Sequence, residues 1–145
     1  MATPWHLWPT GAVTLALHGL AALDFSMAWQ RNVTYLAALP APLRMDLTIY
    51  LDAMPYWALI AWAIASWAAL AGSVLLLMVS RHAVACFAVA LIGFFGQTAY
   101  ALFLAQPPLP AAMLSGTGLS SLVALLVLLS VTAYARRLFQ QGTLR

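Results

Sequence analysis

The sequence contains no lysine and no glutamate, and it carries few charges of any kind. Of its 145 residues only 6% are charged, whereas 65% are hydrophobic. All the basic residues are arginines and all the acidic ones are aspartates. A soluble domain of this size needs far more polar surface to face water. This shortage of charge argues against a soluble protein and favours one embedded in a membrane.

Catalytic and ligand-binding patterns are missing as well. Cys86 is the only cysteine, which excludes an intrachain disulfide and any motif that needs two thiols. The chain has no H-E-x-x-H zinc motif, no G-x-S-x-G nucleophile turn and no phosphate-binding glycine loop. We therefore expect no catalytic residue, no metal, no cofactor and no enzymatic activity. The net charge of +3 is a membrane-topology signal and does not indicate a nucleic-acid partner.

Long uncharged stretches are what the chain does contain. Residues 55–80 include no charged side chain, and crossing a bilayer takes about 20 apolar residues at about 1.5 Å each. The same pattern recurs and predicts four spans, with a surface segment between the first two that mixes polar and bulky apolar residues. The predicted spans are 11–29, 55–79, 83–104 and 111–134, and the interfacial segment is 40–51. The predicted fold is an all-α, integral-membrane four-helix bundle in a single domain.

Short connections and charges predict how the spans are arranged. Residues 80–82 leave room only for a tight reversal, so the second and third spans should form an antiparallel hairpin. Asp52 or Met54 should cap the second span, and a proline-rich run at 107–110 should end the next reversal. The fourth span should stop at Arg136 and Arg137. Arginines at 81, 136, 137 and 145 against those at 31 and 44 favour cytoplasmic termini.

Small residues mark one face of the second span. Ala61, Ala65, Ala68 and Gly72 follow a spacing that aligns them along one side of a helix. We call these four residues the small-residue seam. Gly93 on the third span belongs to a similar smooth stripe. Such faces let a neighbouring helix approach closely, so we expect them to serve helix packing.

Four polar residues form a candidate pocket near the outer ends of the spans. Asp24 and Gln97 both lie about 21 Å from the predicted inner edges, so they could meet. Tyr100 follows Gln97 along the same stripe, and Arg31 shares a helical face with Asp24 if the first helix continues. One reading is an outward-facing binding pocket. The other is structural: Asp24 pairs with Arg31, and Gln97 bridges two helices without binding anything.

His18 is the second candidate, because it lies inside the first span. An intramembrane histidine is either a proton relay or ligand, or a neutral ring hydrogen-bonded across a helix interface. A haem held by two histidines is disfavoured, because His6 and His82 are predicted at a different depth.

Part of the chain resembles a known family. The resemblance covers roughly residues 11–104. Two motifs carry it, P-x-W-A-x-x-x-W-A at 55–63 and A-V-x-x-F at 83–87. The single residues that contribute are Asp24, Arg31, Asn32, Tyr35, Gly72 and Arg81. These features are similar to a set of small bacterial inner-membrane proteins with four predicted spans, some of which carry sugar-transporter labels. The resemblance implies a bacterial inner-membrane location and supplies no catalytic residues.

Two functions fit these observations. The first is a non-enzymatic subunit in the lipid bilayer whose small-residue seams bind other membrane helices, in a homo-oligomer or a larger complex. The second is a small-solute transporter or channel that works as an oligomer, with a sugar as one candidate solute. Four short helices leave little room for an enclosed solute path within one chain, and carriers with inverted repeats use more helices.

Overall fold

The described part of the chain folds into helices joined by short connections. A computed structural model describes residues 4–105 and 111–144. Of residues 111–120 it describes only the helical backbone. These ranges contain no strand, which confirms the all-α prediction. The helices are α1 (Leu7–Trp29), α2 (Val33–Ala38), α3 (Ala41–Ala53), α4 (Tyr56–Leu77), α5 (His82–Ala99) and α6 (Ala111–Gln140), and α5 continues without a break into a π-helical turn (Tyr100–Leu104).

Four of these helices are long and apolar enough to cross a membrane. They are α1, α4, α5 with its π-helical turn, and α6 over the stretch Ser121–Gln140. A helix of about 20 apolar residues is long enough to cross the hydrocarbon core of a bilayer. Four such helices define a multi-pass membrane protein.

The helix ends differ from the predicted bounds at several places. α1 begins at Leu7, four residues early, because Pro9 falls in the first turn, where its missing N–H has no partner to lose. α6 continues to Gln140 and does not stop at the arginine pair. A cation in the last turn of a helix is favoured by the helix dipole, so Arg137 supports this extension. The predicted reversal at 107–110 and Arg145 lie outside the described residues.

The long helices pack in chain order. α4 and α5 share the most extensive contact, α1 packs on α4, and α6 packs on α5. One buried cluster joins the start of α1, the end of α4, the start of α5 and the end of α6, through Leu7, Leu76, Ala83, Phe87, Leu138 and Leu144. Both ends of the described chain therefore lie at one end of the molecule. We call it the basic end, because Arg81, Arg136 and Arg137 are there, and the opposite end the acidic end, because it holds all three aspartates.

The small-residue seam and Gly93 lie within the α4–α5 hairpin. A Cβ added to Gly93 would stand 2.6 Å from the carbonyl oxygen of Ala61 and 2.6 Å from the amide nitrogen of Ala65. One added to Gly72 would stand 2.8 Å from the ring of Phe87. The two helix backbones therefore touch, as small residues in membrane helices allow. Since these contacts are made inside one chain, they are not the surface through which a second chain would pack.

Three helices end in the same backbone motif with different residues. Val79, Arg31 and Gly142 follow the ends of α4, α1 and α6 with φ of 58°, 52° and 69°. In each case the next amide reaches back to the carbonyl five residues earlier, as when Ser80 donates to Leu75 at 2.9 Å. Glycine adopts this conformation freely, whereas a β-branched valine is strained in it. The tight reversal predicted at 80–82 is therefore preceded by Val79, whose side chain is poorly suited to this conformation.

Two short helices connect α1 to α4 at the acidic end. Asn32 caps α2 by accepting a hydrogen bond from the Tyr35 amide at 3.1 Å, and Pro40 precedes α3. The predicted interfacial segment corresponds to α3, in which only Leu51 is buried. Pro55, not Asp52 or Met54, occupies the cap position of α4, and no side chain caps it. The predicted cap is wrong because Asp52 lies within α3 and Met54 is the residue that ends that helix.

Candidate functional site

Asp24 bonds to a residue that the sequence did not single out as its partner. The hydroxyl of Tyr35 on α2 donates a hydrogen bond to Asp24 Oδ1 at 2.7 Å. Burial is the largest cause that raises the pKa of Tyr35 to about 12, and the hydrogen bond and negative charge of Asp24 add to it. Tyr35 therefore stays protonated near neutral pH and holds α2 against the end of α1.

Arg31 turns away from Asp24 to Asp52 on α3. Its Nη2 donates to Asp52 Oδ1 at 2.7 Å, and the Asp52 side chain is 73% exposed. The predicted Asp24–Arg31 pair is therefore wrong. The physical reason is that α1 ends at Trp29 and Arg31 takes a left-handed conformation, so the two residues no longer share a helical face. The ion pair instead closes the connection between α1 and α4.

Gln97 and Tyr100 lie on α5 and its π-helical turn, and the structure does not bring Asp24 to them. Asp24 lies on the exposed side of α1, away from the buried stripe that packs on α4. Tyr100 donates a hydrogen bond to the carbonyl of Ala53 at 3.3 Å and is almost fully buried. Within the described part of the chain Gln97 is half-buried and has no side-chain hydrogen bond. The four residues therefore belong to separate contacts at the acidic end.

Aromatic rings surround a recess at this end. The ring of Trp57 meets Tyr100 edge-on at 5.7 Å between centroids, and Tyr50 lies 5.9 Å from Tyr100. Burial, and secondarily the proximity of Tyr100, raises the pKa of Tyr50 to about 12. The recess has a volume of about 320 Å³ and is lined by Ala53, Pro55, Trp57, Tyr100 and Leu104. A π-helical turn on one wall is a feature often found at functional sites.

His18 joins α1 to α4 in the middle of the bundle. Its Nδ1 lies 2.7 Å from the hydroxyl oxygen of Ser73, which is fully buried and also donates to the carbonyl of Ala69 at 3.0 Å. A hydroxyl has one proton, so donation to Ala69 leaves its oxygen to accept from His18. The imidazole also lies 6.0 Å from the ring of Phe87. This geometry is that of a histidine hydrogen-bonded across a helix interface.

A third polar contact lies at the basic end. His6 Nδ1 and the Tyr134 hydroxyl are 2.6 Å apart, and their rings meet edge-on at 5.7 Å. This contact ties the start of α1 to the last third of α6. No group of three or more histidine, cysteine or acidic side chains within residues 4–105 and 121–144 is placed to hold a metal ion.

The residues that sequence reasoning missed are mainly hydrogen-bonding partners. Ser73 follows Gly72 and lies on the α4 face that meets α1, and Tyr35 lies eleven residues after Asp24. Spacing within one helix reveals which residues share a face, but it carries no signal for contacts between helices. A serine among the apolar residues of a span is the one sequence feature that indicates such a contact, because its hydroxyl needs a hydrogen-bonding partner.

These contacts define a class: a multi-pass, all-α membrane protein in which several polar side chains join one helix to another. No protein-family model, no curated protein and no solved structure matches the chain. The resemblance to small four-span bacterial proteins therefore stays a prediction, and the functional argument depends on the contacts themselves.

Proposed function

We propose that the protein is a non-enzymatic membrane subunit that packs against other membrane helices, in a homo-oligomer or in a larger complex. One observation carries the proposal: three of the side chains best suited to chemistry bond to another element of the same chain. His18 joins α4, Tyr35 joins α1, and Arg31 joins α3. Side chains used in this way stabilise a scaffold and are not turned toward a substrate.

The packing order of the helices supports the same function. α4 lies between α1 and α5, and in the described part of the chain the most extensive contact of α6 is with α5. α1 and α6 are therefore the outer helices of the row, and large apolar side chains such as Leu20 and Leu122 are exposed on them. In a membrane these surfaces meet either lipid or another helix, and helices associate there by close packing and by polar contacts.

Location and orientation are part of the proposal. The basic end carries three arginines, whereas the acidic end carries three aspartates and two arginines. Arginine-rich ends stay on the cytoplasmic side, so both termini lie in the cytoplasm. The resemblance described above supports the bacterial inner membrane.

Native mass spectrometry tests this function. The tagged chain is extracted from its membrane with a mild detergent, and the mass of the complex that contains it is measured. We expect a stoichiometric assembly, either of several copies or with a different protein. A chain that is monomeric at every detergent concentration would contradict the proposal. Crosslinking in the intact membrane controls for dissociation during extraction.

The aromatic recess favours the alternative of a small-solute transporter. The half-exposed ring of Trp57 lies edge-on to Tyr100 and lines the recess, an arrangement that suits a small solute with one apolar face. Glucose uptake into vesicles containing the protein tests this candidate. Trp57→Ala should abolish uptake, whereas Trp67→Ala, at a similarly exposed tryptophan on α4, should not. Uptake equal to that of empty vesicles would contradict transport of this sugar.

A further inference from the structure

Asp24 lies on the exposed side of α1, where the hydroxyl of Tyr35 on α2 is its hydrogen-bonding partner. The exposed side of this helix is marked by Val13, Leu17, Leu20, Asp24 and Met27, spaced four and three residues apart. We call these five residues the outer stripe. The opposite side carries the buried residues that pack on α4, such as His18 and Phe25. Asp24 is thus the one charged residue on an otherwise apolar surface.

The carboxylate lies inside the apolar length of the helix and not at its end. Asp24 comes five residues before Trp29, the last residue of α1, which corresponds to about 8 Å along the axis. Trp29 is half exposed, and tryptophans at such positions mark the membrane boundary. An aspartate below that boundary is unfavourable next to lipid, and such residues normally pair with another polar group.

Within residues 4–105 and 121–144, no arginine is bonded to this carboxylate. Tyr35 gives Asp24 a hydrogen bond but no positive charge. Arg31, the nearest arginine along the chain, is bonded to Asp52, and the Arg44 guanidinium donates to the carbonyl of Leu39. A carboxylate has about four acceptor positions, so the bond from Tyr35 leaves room for a second donor.

We infer that Asp24 on the outer stripe docks an arginine or lysine side chain on a transmembrane helix of a different protein. This inference depends on the proposed function and names the chemistry of the partner. A second copy of this chain does not fit as the partner, because its arginines at the acidic end lie outside the spans. The arginines within α6, Arg136 and Arg137, lie at the basic end. A basic side chain of a different protein at the depth of Asp24 would gain a charge-assisted hydrogen bond where water is scarce.

Binding of a designed helix tests the inference with the full chain in lipid vesicles. The probe is a leucine–alanine transmembrane helix with one arginine at the depth of Asp24, and the control probe has glutamine there. Energy transfer between dyes on the chain and on the probe measures association. We expect the arginine helix to bind at least about tenfold more tightly than the glutamine helix. Asp24→Asn should abolish this difference and leave binding of the glutamine helix unchanged.

Two further variants separate the charge from its surroundings. Asp46→Asn removes one negative charge at the same end without changing α1, and it should keep the preference for arginine. Tyr35→Phe removes the internal hydrogen bond, and it should keep or strengthen the preference. Equal binding of both probes to the natural chain, or an arginine preference that survives Asp24→Asn, would overturn the inference. Either result would leave the proposed assembly to be decided by native mass spectrometry alone.

Discussion

The two ends of the bundle are held together by different interactions. At the basic end four helices meet in one apolar cluster around Phe87, Leu76 and Leu138, which are almost fully buried. At the acidic end, helices α2 and α3 are attached by the Arg31–Asp52 ion pair, the Tyr35–Asp24 hydrogen bond and aromatic contacts with Tyr100. Exposed ion pairs contribute little free energy, whereas close packing contributes much. Stability should therefore reside at the basic end and recognition at the acidic end.

This division has a physical reason. Inside a membrane the hydrophobic effect does not bring helices together, so stability comes from packing, which favours small residues beside large ones. Phe87 against Gly72 is such a pair. Asp24 accepts one hydrogen bond from Tyr35, so its carboxylate keeps the capacity to bind a second donor. The predictions below test this contrast, from the largest expected effect to the smallest.

Phe87→Ala should destabilise the protein most. Phe87 is fully buried against Gly72 and beside His18, so its removal leaves a cavity in the cluster of the basic end. We expect a loss of about 3 kcal/mol or more in the free energy of unfolding, measured by titration with SDS. Phe103→Ala at the acidic end is the control, because Phe103 is 81% exposed and its loss should change stability little. Similar losses in the two variants would contradict the contrast.

Gly93→Ala should weaken the α4–α5 hairpin by about 1–3 kcal/mol. The added methyl group would meet backbone atoms of Ala61 and Ala65, which cannot move without separating the helices. Gly19→Ala is the matched control, since there the nearest atom is a Leu70 methyl group at 4.0 Å. It should leave stability unchanged or slightly higher. Thermal unfolding of the two variants in one detergent compares them, and an unchanged Gly93 variant would mean that the backbones are not in contact.

Val79→Gly should stabilise the turn at the basic end by about 1 kcal/mol. The valine has a φ of 58°, which glycine adopts without strain. The reverse change is available at Gly142, which has a φ of 69° and open space around it. Gly142→Val should therefore lose about as much as Val79→Gly gains. Unfolding curves measure both, and a loss of stability in Val79→Gly would show that its side chain is needed there for packing.

The ion pair at the acidic end should contribute only about 0.2–1 kcal/mol. Its two side chains are 39% and 73% exposed, so water screens their attraction. A double-mutant cycle with Arg31→Gln and Asp52→Asn isolates this coupling energy. High salt should reduce it further. A coupling above about 2 kcal/mol would mean that the acidic end is as strongly held as the basic end.

The smallest expected effect is a pH dependence at the acidic end. The Tyr35 pKa is raised from the ordinary 10.0 to about 12, so its stabilising contribution is complete below pH 10 and is lost as the pH approaches about 12. In a pH titration followed by tyrosinate absorbance, Tyr35→Phe should therefore lose one tyrosine that ionises only near pH 12. Tyr56→Phe, at a tyrosine that is 81% exposed, should keep that late group. A late titration identical in all three proteins would contradict the Tyr35–Asp24 contact.

The sequence was most informative where one helix could be considered alone. Uncharged length predicted the membrane-spanning helices, and a three-residue connection predicted the hairpin. The candidate pocket could not be predicted in the same way. Asp24, Arg31, Gln97 and Tyr100 were grouped by depth along separate helices, and depth does not reveal which way each helix is turned.

Composition and periodicity by themselves determined that this chain is an all-helical membrane protein, because apolar length and helical spacing are properties of each segment. Only the tertiary structure decided that Arg31 pairs with Asp52, that His18 meets Ser73, and that Asp24 lies on the outer stripe of α1. These outcomes depend on the rotation of each helix and on the path of the connection between α1 and α4. Both are set by packing of the whole chain, which no single segment encodes.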